Sequence, residues 1–269
     1  SLAVTGATNL GANVTTSGDQ TYTGAVTLSA NNTYQSTANG DILFSSTTDG
    51  AQTLATTTGG DTTYVGAIGG NTAILSLTAV TAAFTAADIK SNGSVSINNS
   101  GTGSITGVIA DGSSAASLTK LGAGTLTLTG ANTYTGNTTI TNGDLSIDGA
   151  GRLGTNGSYA GAISVGTGDD LIYTSTLNQT LSGVISGAGG VVKEEDSVLT
   201  LSGDNTFTGL LDINDGEVII SGGSSAAANL ASSVAIASGA ILTVSADLTN
   251  GDSISSSTSV GQVDTGAII

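Results

Sequence analysis

The chain contains no cysteine, methionine, proline, tryptophan or histidine, and only 9% of its 269 residues are charged. Each absence removes a class of structure or chemistry. Without cysteine there is no disulfide framework, a state compatible with export from a bacterium but no proof of it. Without histidine or cysteine, Ser–His and Cys–His nucleophilic sites cannot exist, nor can zinc sites built on those ligands. The lack of methionine implies a processed or excised segment rather than a primary translation product. Ser1 opens neither a basic stretch nor the apolar core of a signal peptide. Apolar runs are short and broken by Thr, Ser or Gly, so no stretch reads as a transmembrane helix and no membrane insertion is expected. Cations are almost missing as well: Lys90, Lys120, Arg152 and Lys193 stand against 20 acids, for a formal charge of −16. Four scattered cations cannot neutralise a phosphate backbone or hold to anionic lipid, which argues against nucleic acid as a partner. A diffuse negative charge instead suits the solubility of a long, weakly charged body.

What remains is aliphatic and small on the apolar side, and Thr, Ser, Asn and Gly on the polar side. Mean hydropathy is +0.25, which separates the chain from a highly charged disordered tail. Leu, Ile, Val and Phe together exceed the roughly 20% below which disorder becomes the default. Thr, Val and Ile fit a pleated, half-buried surface, whereas Gly (41 residues), Asn and Asp supply left-handed turns. Good helix formers such as Glu, Lys, Arg and Met are scarce or missing. The composition predicts an all-β fold.

Self-comparison organises the chain further. Residues 118–147 (LTKLGAGTLTLTGANTYTGNTTITNGDLSI) align without a gap on residues 191–220 (VVKEEDSVLTLSGDNTFTGLLDINDGEVII). Lys120 falls on Lys193, Leu126 on Leu199, Asn132 on Asn205, Tyr134 on Phe207 and Gly143 on Gly216, each pair 73 residues apart. Looser echoes link Tyr22–Val26 with Tyr64–Ile68, and Ile105–Ile109 with Leu181–Ile185. Within each unit the period is two, as in Thr125-Leu126-Thr127-Leu128-Thr129, with turn residues every eight to twelve positions or so.

Two architectures fit such strands, an antiparallel sandwich or barrel and a coiled solenoid. Gapless self-similarity favours the solenoid, because stacked turns keep one sequence phase. The scarcity of aromatics, 3% of residues, suits a narrow interior of stacked aliphatic columns. Asn132 and Asn205, each before an aromatic and a Gly, are expected at equivalent corners where amides form ladders. At roughly 20–25 residues per coil the 73-residue unit spans about three coils. The whole chain then makes about a dozen, a rod on the order of 55–60 Å long.

The run Lys120-Leu121-Gly122-Ala123-Gly124-Thr125-Leu126-Thr127-Leu128-Thr129-Gly130-Ala131-Asn132-Thr133-Tyr134-Thr135-Gly136 resembles the passenger-associated repeat of bacterial autotransporters. Its continuation through Thr138-Thr139-Ile140-Thr141-Asn142-Gly143-Asp144-Leu145 fits the same repeat. The later copy departs from the pattern at Glu194-Glu195-Asp196, where small residues and Gly are usual. The stretch from Thr15 to Leu28 resembles repeats of filamentous-haemagglutinin-type exoproteins. These resemblances imply a right-handed parallel β-helix outside a bacterial cell or on its outer membrane. They also imply a role in adhesion, aggregation, matrix building or display, and carry no catalytic residues with them. The expected organisation is one continuous solenoid over residues 1–269. Exoprotein-type repeats would occupy 1–117, passenger-type repeats 118–222 and further coils 223–269.

Chemical candidates are few. A polysaccharide lyase of β-helical form needs clustered acids for calcium and a basic residue for proton abstraction. Lys120 and Lys193 share one repeat position, which reads as a surface feature rather than unique chemistry, so no catalytic residue is assigned and no enzyme is expected. Gly166-Thr167-Gly168-Asp169-Asp170-Leu171 resembles one calcium-binding nonapeptide, making Asp169 and Asp170 the metal candidates. A tight Gly–Asp turn before the strand Leu171-Ile172-Tyr173 is the preferred reading, and no cofactor is expected apart from that calcium option. Glu194-Glu195-Asp196 reads as a solvated loop face. Glycosylation sequons, among them those at Asn137, Asn156 and Asn178, arise readily by chance in a Thr- and Asn-rich chain. Thr125/Thr127/Thr129 and Thr139/Thr141 suggest an ice-binding face, but outward Thr on half-buried strands explains them better.

The sequence thus points to a structural or adhesive rod whose partners are surface glycans, surface proteins or copies of itself. A head-to-tail filament or matrix subunit is the alternative, prompted by the uncapped apolar end at residues 260–269.

Overall fold

Short segments such as Val26–Leu28, Leu126–Leu128 and Thr138–Ile140 each bury their outer two residues and turn the middle one outward. A strand of three residues makes too few hydrogen bonds to persist alone, so each is stable only as a rung between two others. The computed structural model describes residues 1–221, 233–244 and 262–265, and in it those rungs stack in parallel. Three faces result. The first is a sheet of twelve strands running from Leu2–Val4 to Ser233–Ile236, and the third is a sheet of nine from Val14–Thr16 to Ile185–Gly187. The second face is broken into groups of three, two and six strands, joined by single bridges such as Thr48 to Ile68 and Ala131 to Arg152. The chain visits the first, second and third faces in turn and then climbs one rung. It is an all-β, parallel-stranded β-solenoid. Twelve strands on one face make eleven steps, a rod of roughly 50 Å at the usual inter-strand spacing.

Coil length varies from 18 residues (Leu2 to Gln20) to 26 (Leu145 to Leu171). The variation is absorbed at corners and turns, since register within the faces holds strand to strand. The echo between Tyr22–Val26 and Tyr64–Ile68 joins two passes of the same corner two coils apart.

The 73-residue repeat behaves differently from expectation. Lys120 lies on the third face, level with Ile97 and Ile140, whereas Lys193 lies on the first face, level with Tyr173 and Ile213. Three third-face steps lead from Lys120 to Ile140, Val165 and Gly187, and the next strand is the first-face strand Gly190–Lys193. The repeat is therefore three coils plus one face, not three coils, and the second copy is turned by one face about the rod axis. Ile105–Ile109 and Leu181–Ile185 are displaced by one face in the same way. A near-triangular section tolerates this, because each face offers the same sequence of strand, turn and corner.

The interior is filled by columns, one residue from each rung. On the first face Leu126, Leu145, Leu171, Val191 and Leu211 follow one another, all buried. The expectation of purely aliphatic columns fails in the first coils. All six tyrosines and three phenylalanines are inside. Tyr22, Phe44 and Tyr64 stack face to face with centroids 4.9 and 4.6 Å apart and planes within 9° and 1° of parallel. Tyr34 meets Tyr22 and Phe44 edge-on from the third face. Parallel in-register strands place identical positions one rung apart, close to the separation at which offset aromatic rings attract. Few aromatics are present, yet each is buried.

Candidate functional site

Where the chain turns between faces it cannot extend its strand ladder, and side chains take over. Corner Asn and Asp residues accept the backbone N–H of the next coil: Ala162 N–H donates to Asn137 Oδ1 (3.0 Å), Val198 N–H to Asn178 Oδ1 (3.0 Å) and Asp61 N–H to Asp41 Oδ1 (2.8 Å). Asn137 and Asn178, two of the possible glycosylation asparagines, are thus corner caps. A third, Asn156, has a left-handed φ of 56° in a short 3₁₀ turn.

Asn132 and Asn205 are buried at their corners but build no amide ladder. Ile109 N–H donates to Asn132 Oδ1 (2.9 Å), and Asn132 Nδ2 donates to the carbonyls of Gly130 (2.9 Å) and Arg152 (3.1 Å). Ile185 N–H donates in the same manner to Asn205 Oδ1 (2.8 Å). The two residues lie more than three coils apart, so their amides cannot stack; each bonds backbone instead. Beside them, a Cβ on Gly130 would fall 1.9 Å from the Gly107 carbonyl oxygen, and one on Gly203 would fall 2.3 Å from that of Gly183. Corner backbone packs directly on corner backbone, which only glycine permits.

The lysines correct the sequence reading most sharply. Lys120 and Lys193 are not surface groups: both are fully buried, inside the solenoid. Lys120 Nζ donates to the carbonyl oxygens of Leu121 (2.8 Å), Gly122 (2.6 Å) and Asn142 (3.1 Å). Lys193 Nζ donates to those of Glu194, Glu195 (2.5 Å) and Asp215 (3.4 Å). The three acceptors of one lysine are the repeat equivalents of the three acceptors of the other. Each ammonium ties a left-handed turn, at Gly122 (φ 77°) or Glu195 (φ 66°), to the turn one coil above at Gly143 (φ 69°) or Gly216 (φ 68°). Burial pushes the Lys120 ammonium down to about 8, partly opposed by Asp144 and Asp169. It lowers Lys193 too, against Asp215, Glu195, Asp196 and Glu194, and Lys193 also lies 5.9 Å from the centre of the Tyr173 ring.

The sequence profile of the passenger-associated-transport-repeat matches residues 118–147 and 191–220, the two segments that share this lysine, turn and corner geometry. Both copies of the internal repeat are thus similar to the passenger-associated-transport-repeat. Each repeat begins just before its buried lysine and ends on the strand after the second turn. A curated relative described as the adhesin BmaC autotransporter, from Brucella suis biovar 1 (strain 1330), is 35% identical over 133 residues. That match takes in 44% of this chain, and the chain spans about 4% of the relative's length. No solved structure matches. An autotransporter adhesin passenger acts outside the cell, so the location of the repeats is the extracellular space or the outer-membrane surface of a bacterium.

Between the two repeats lie the metal candidates. Gly168, with φ 82°, turns the chain into the strand Asp170–Ser175, as the turn reading of that segment requires. Asp169 is buried, and Gly143 N–H donates to its Oδ1 (2.8 Å), so it ties the second turn of the first repeat to the coil above. Asp170 has its carboxyl pKa raised, by burial first and then by Asp144, while the backbone of Gly190 opposes the shift. Among the described residues no three His, Cys, Asp or Glu side chains are grouped closely enough to hold an ion.

In the second repeat Asp196, Asp215 and Glu217 line a hollow of about 220 Å³ with Asn178 and Ile241. Glu194 accepts a hydrogen bond from Asn214 Nδ2 (3.0 Å). The Thr arrays do not form one face: Thr127 is half-buried on the first face and Thr139 on the third. Apart from the backbone of Gln262–Thr265, which adds a strand to the second face, the apolar end at residues 260–269 falls outside the described residues.

Proposed function

We propose that this chain is a length of adhesive rod: a solenoid that sets distance from the bacterial surface and presents its outer faces to surface glycans or proteins. The observation that carries the reading is the twelve-rung first face with buried columns beneath it, which makes a stiff body whose outward positions repeat at every coil. Stiffness follows from geometry, because the hydrogen bonds between rungs run along the rod axis and resist bending and extension together. The adhesin autotransporter similarity supports the same role. The chain is not an enzyme on this reading. It has no His or Cys, and two of its four cations are buried and bound to carbonyl oxygens.

The test has two arms on the full chain. Negative-stain electron microscopy should show discrete rods of about 50 Å or more, unchanged in length across a concentration series. Beads coated with the chain should adhere to bacterial or epithelial cells more than beads coated with albumin. Compact particles, or fibres that lengthen with concentration, would overturn the stalk reading, the second in favour of a head-to-tail filament. Rods that give no adhesion above albumin would overturn the adhesive role.

A further inference from the structure

Charge is distributed unevenly around the rod. The first-face strands include Asp148, Asp170 and Asp212, and the second-face strands include Asp49, Lys90, Asp111 and Glu217. The nine strands of the third face contain no Asp, Glu or Arg, and their one cation, Lys120, points inward. In a chain of net charge −16 the described strands of one face thus show no charge to solvent.

One column of its outward positions is hydroxyls in register, beside a column that carries Val80, Asn98 and Leu121. Thr78, Ser96, Thr119, Thr139, Ser164 and Ser186 stand on six successive rungs as one column. A neighbouring column carries Ser76, Ser94 and Ser117. The strands in the middle of this face reach six residues, wider than the three-residue rungs elsewhere on it. All the aromatic side chains are buried, so the face offers no ring on which an apolar partner or a single sugar could stack.

We propose that the third face docks an extended neutral polysaccharide laid along the rod axis, its hydroxyls bonding to the Ser/Thr column. This deepens the adhesive reading and rests on it. A hydroxyl both donates and accepts, so a ladder of hydroxyls suits a partner that is itself a ladder of hydroxyls. A charged partner would have to lose its hydration against a face with no counter-charge, which is unfavourable. An acidic glycan is further repelled by the acids of the other two faces. Single contacts of this kind are weak. Their repetition on successive rungs supplies affinity through multivalency.

The experiment is retention of the full chain on amorphous cellulose and on chitin, with alginate as the acidic comparison. Retention on at least one neutral polymer, little changed by salt and absent on alginate, is expected. Thr119→Lys or Ser164→Lys places an ammonium in the column and lowers retention by about tenfold or more. Thr27→Lys, on an exposed second-face position, leaves it unchanged. Circular dichroism of each variant separates lost binding from lost fold. The proposal is overturned by retention on neither neutral polymer, by salt-sensitive retention on alginate, or by column variants that bind as the parent does. It is overturned equally if Thr119→Lys abolishes a concentration-dependent dimer rather than polymer binding, which would make the face a contact between copies. Beads that adhere to cells while the chain ignores neutral polymers would sink this inference and leave the adhesive rod standing.

Discussion

Replacing Lys120 by methionine isolates the contribution of one buried ammonium. Met matches the aliphatic stem in length and fills the column between Ile97 and Ile140. What is lost is the cation that ties Leu121, Gly122 and Asn142 together through their carbonyls. Charge-assisted hydrogen bonds contribute about 1.5–3 kcal/mol each, so three amount to roughly 5–9 kcal/mol before any offset. The offset is desolvation: a pKa held near 8 rather than 10.5 corresponds to about 3 kcal/mol against the charged form. Lys120→Met should therefore lower the unfolding free energy by about 2–6 kcal/mol at pH 7, measured by guanidinium titration of the full chain. An exposed lysine, as the sequence suggested, would change stability by no more than about 0.5 kcal/mol.

The pH dependence adds a second readout. The folded pKa of Lys120 lies below the unfolded one, so between about pH 8 and 10 the unfolded chain binds more protons. Its contribution to stability accordingly rises with pH across that window. The parent should gain stability from pH 8 to pH 10 more steeply than Lys120→Met does. A variant within about 0.5 kcal/mol of the parent at pH 7, with the same pH slope, would refute the account of the lysine as a carbonyl tie.

Three further outcomes follow from the same geometry. Glu195 occupies the position of Gly122 with φ 66°, and Glu195→Gly should raise the unfolding free energy by about 1 kcal/mol in denaturant titration. Asn132→Ala and Asn205→Ala each strip a buried backbone N–H, that of Ile109 or Ile185, of its acceptor; each should cost about 1–3 kcal/mol and speed amide hydrogen exchange at that corner. Burial raises the pKa of every tyrosine, Tyr22 and Tyr159 to about 12. The stability these phenols contribute is complete below pH 10 and is lost above it, so tyrosinate absorbance should appear together with loss of β circular dichroism, not before it.

The residues themselves made the all-β class, the inward–outward period and the corner roles of Gly and Asn legible. Alternating Thr and Leu over Thr125–Thr129 specifies a half-buried strand wherever it sits, and the gapless match of residues 118–147 with 191–220 specifies stacking turns. These are local properties, fixed by side-chain size and backbone freedom within a few residues. Three things depended on contacts twenty or more residues away and were decided by the tertiary structure alone. Lys120 and Lys193 enter the core because carbonyls of their own turn and of the turn one coil above converge on each ammonium, which no neighbouring residue in sequence reveals. The second repeat is turned by one face because coils of 18 to 26 residues do not divide 73 evenly, and coil length is set by how corners pack. The described strands of the third face show no charge outward because register brings eight uncharged segments side by side with one whose lysine turns inward. Sequence fixes which residues alternate; register fixes which of them meet.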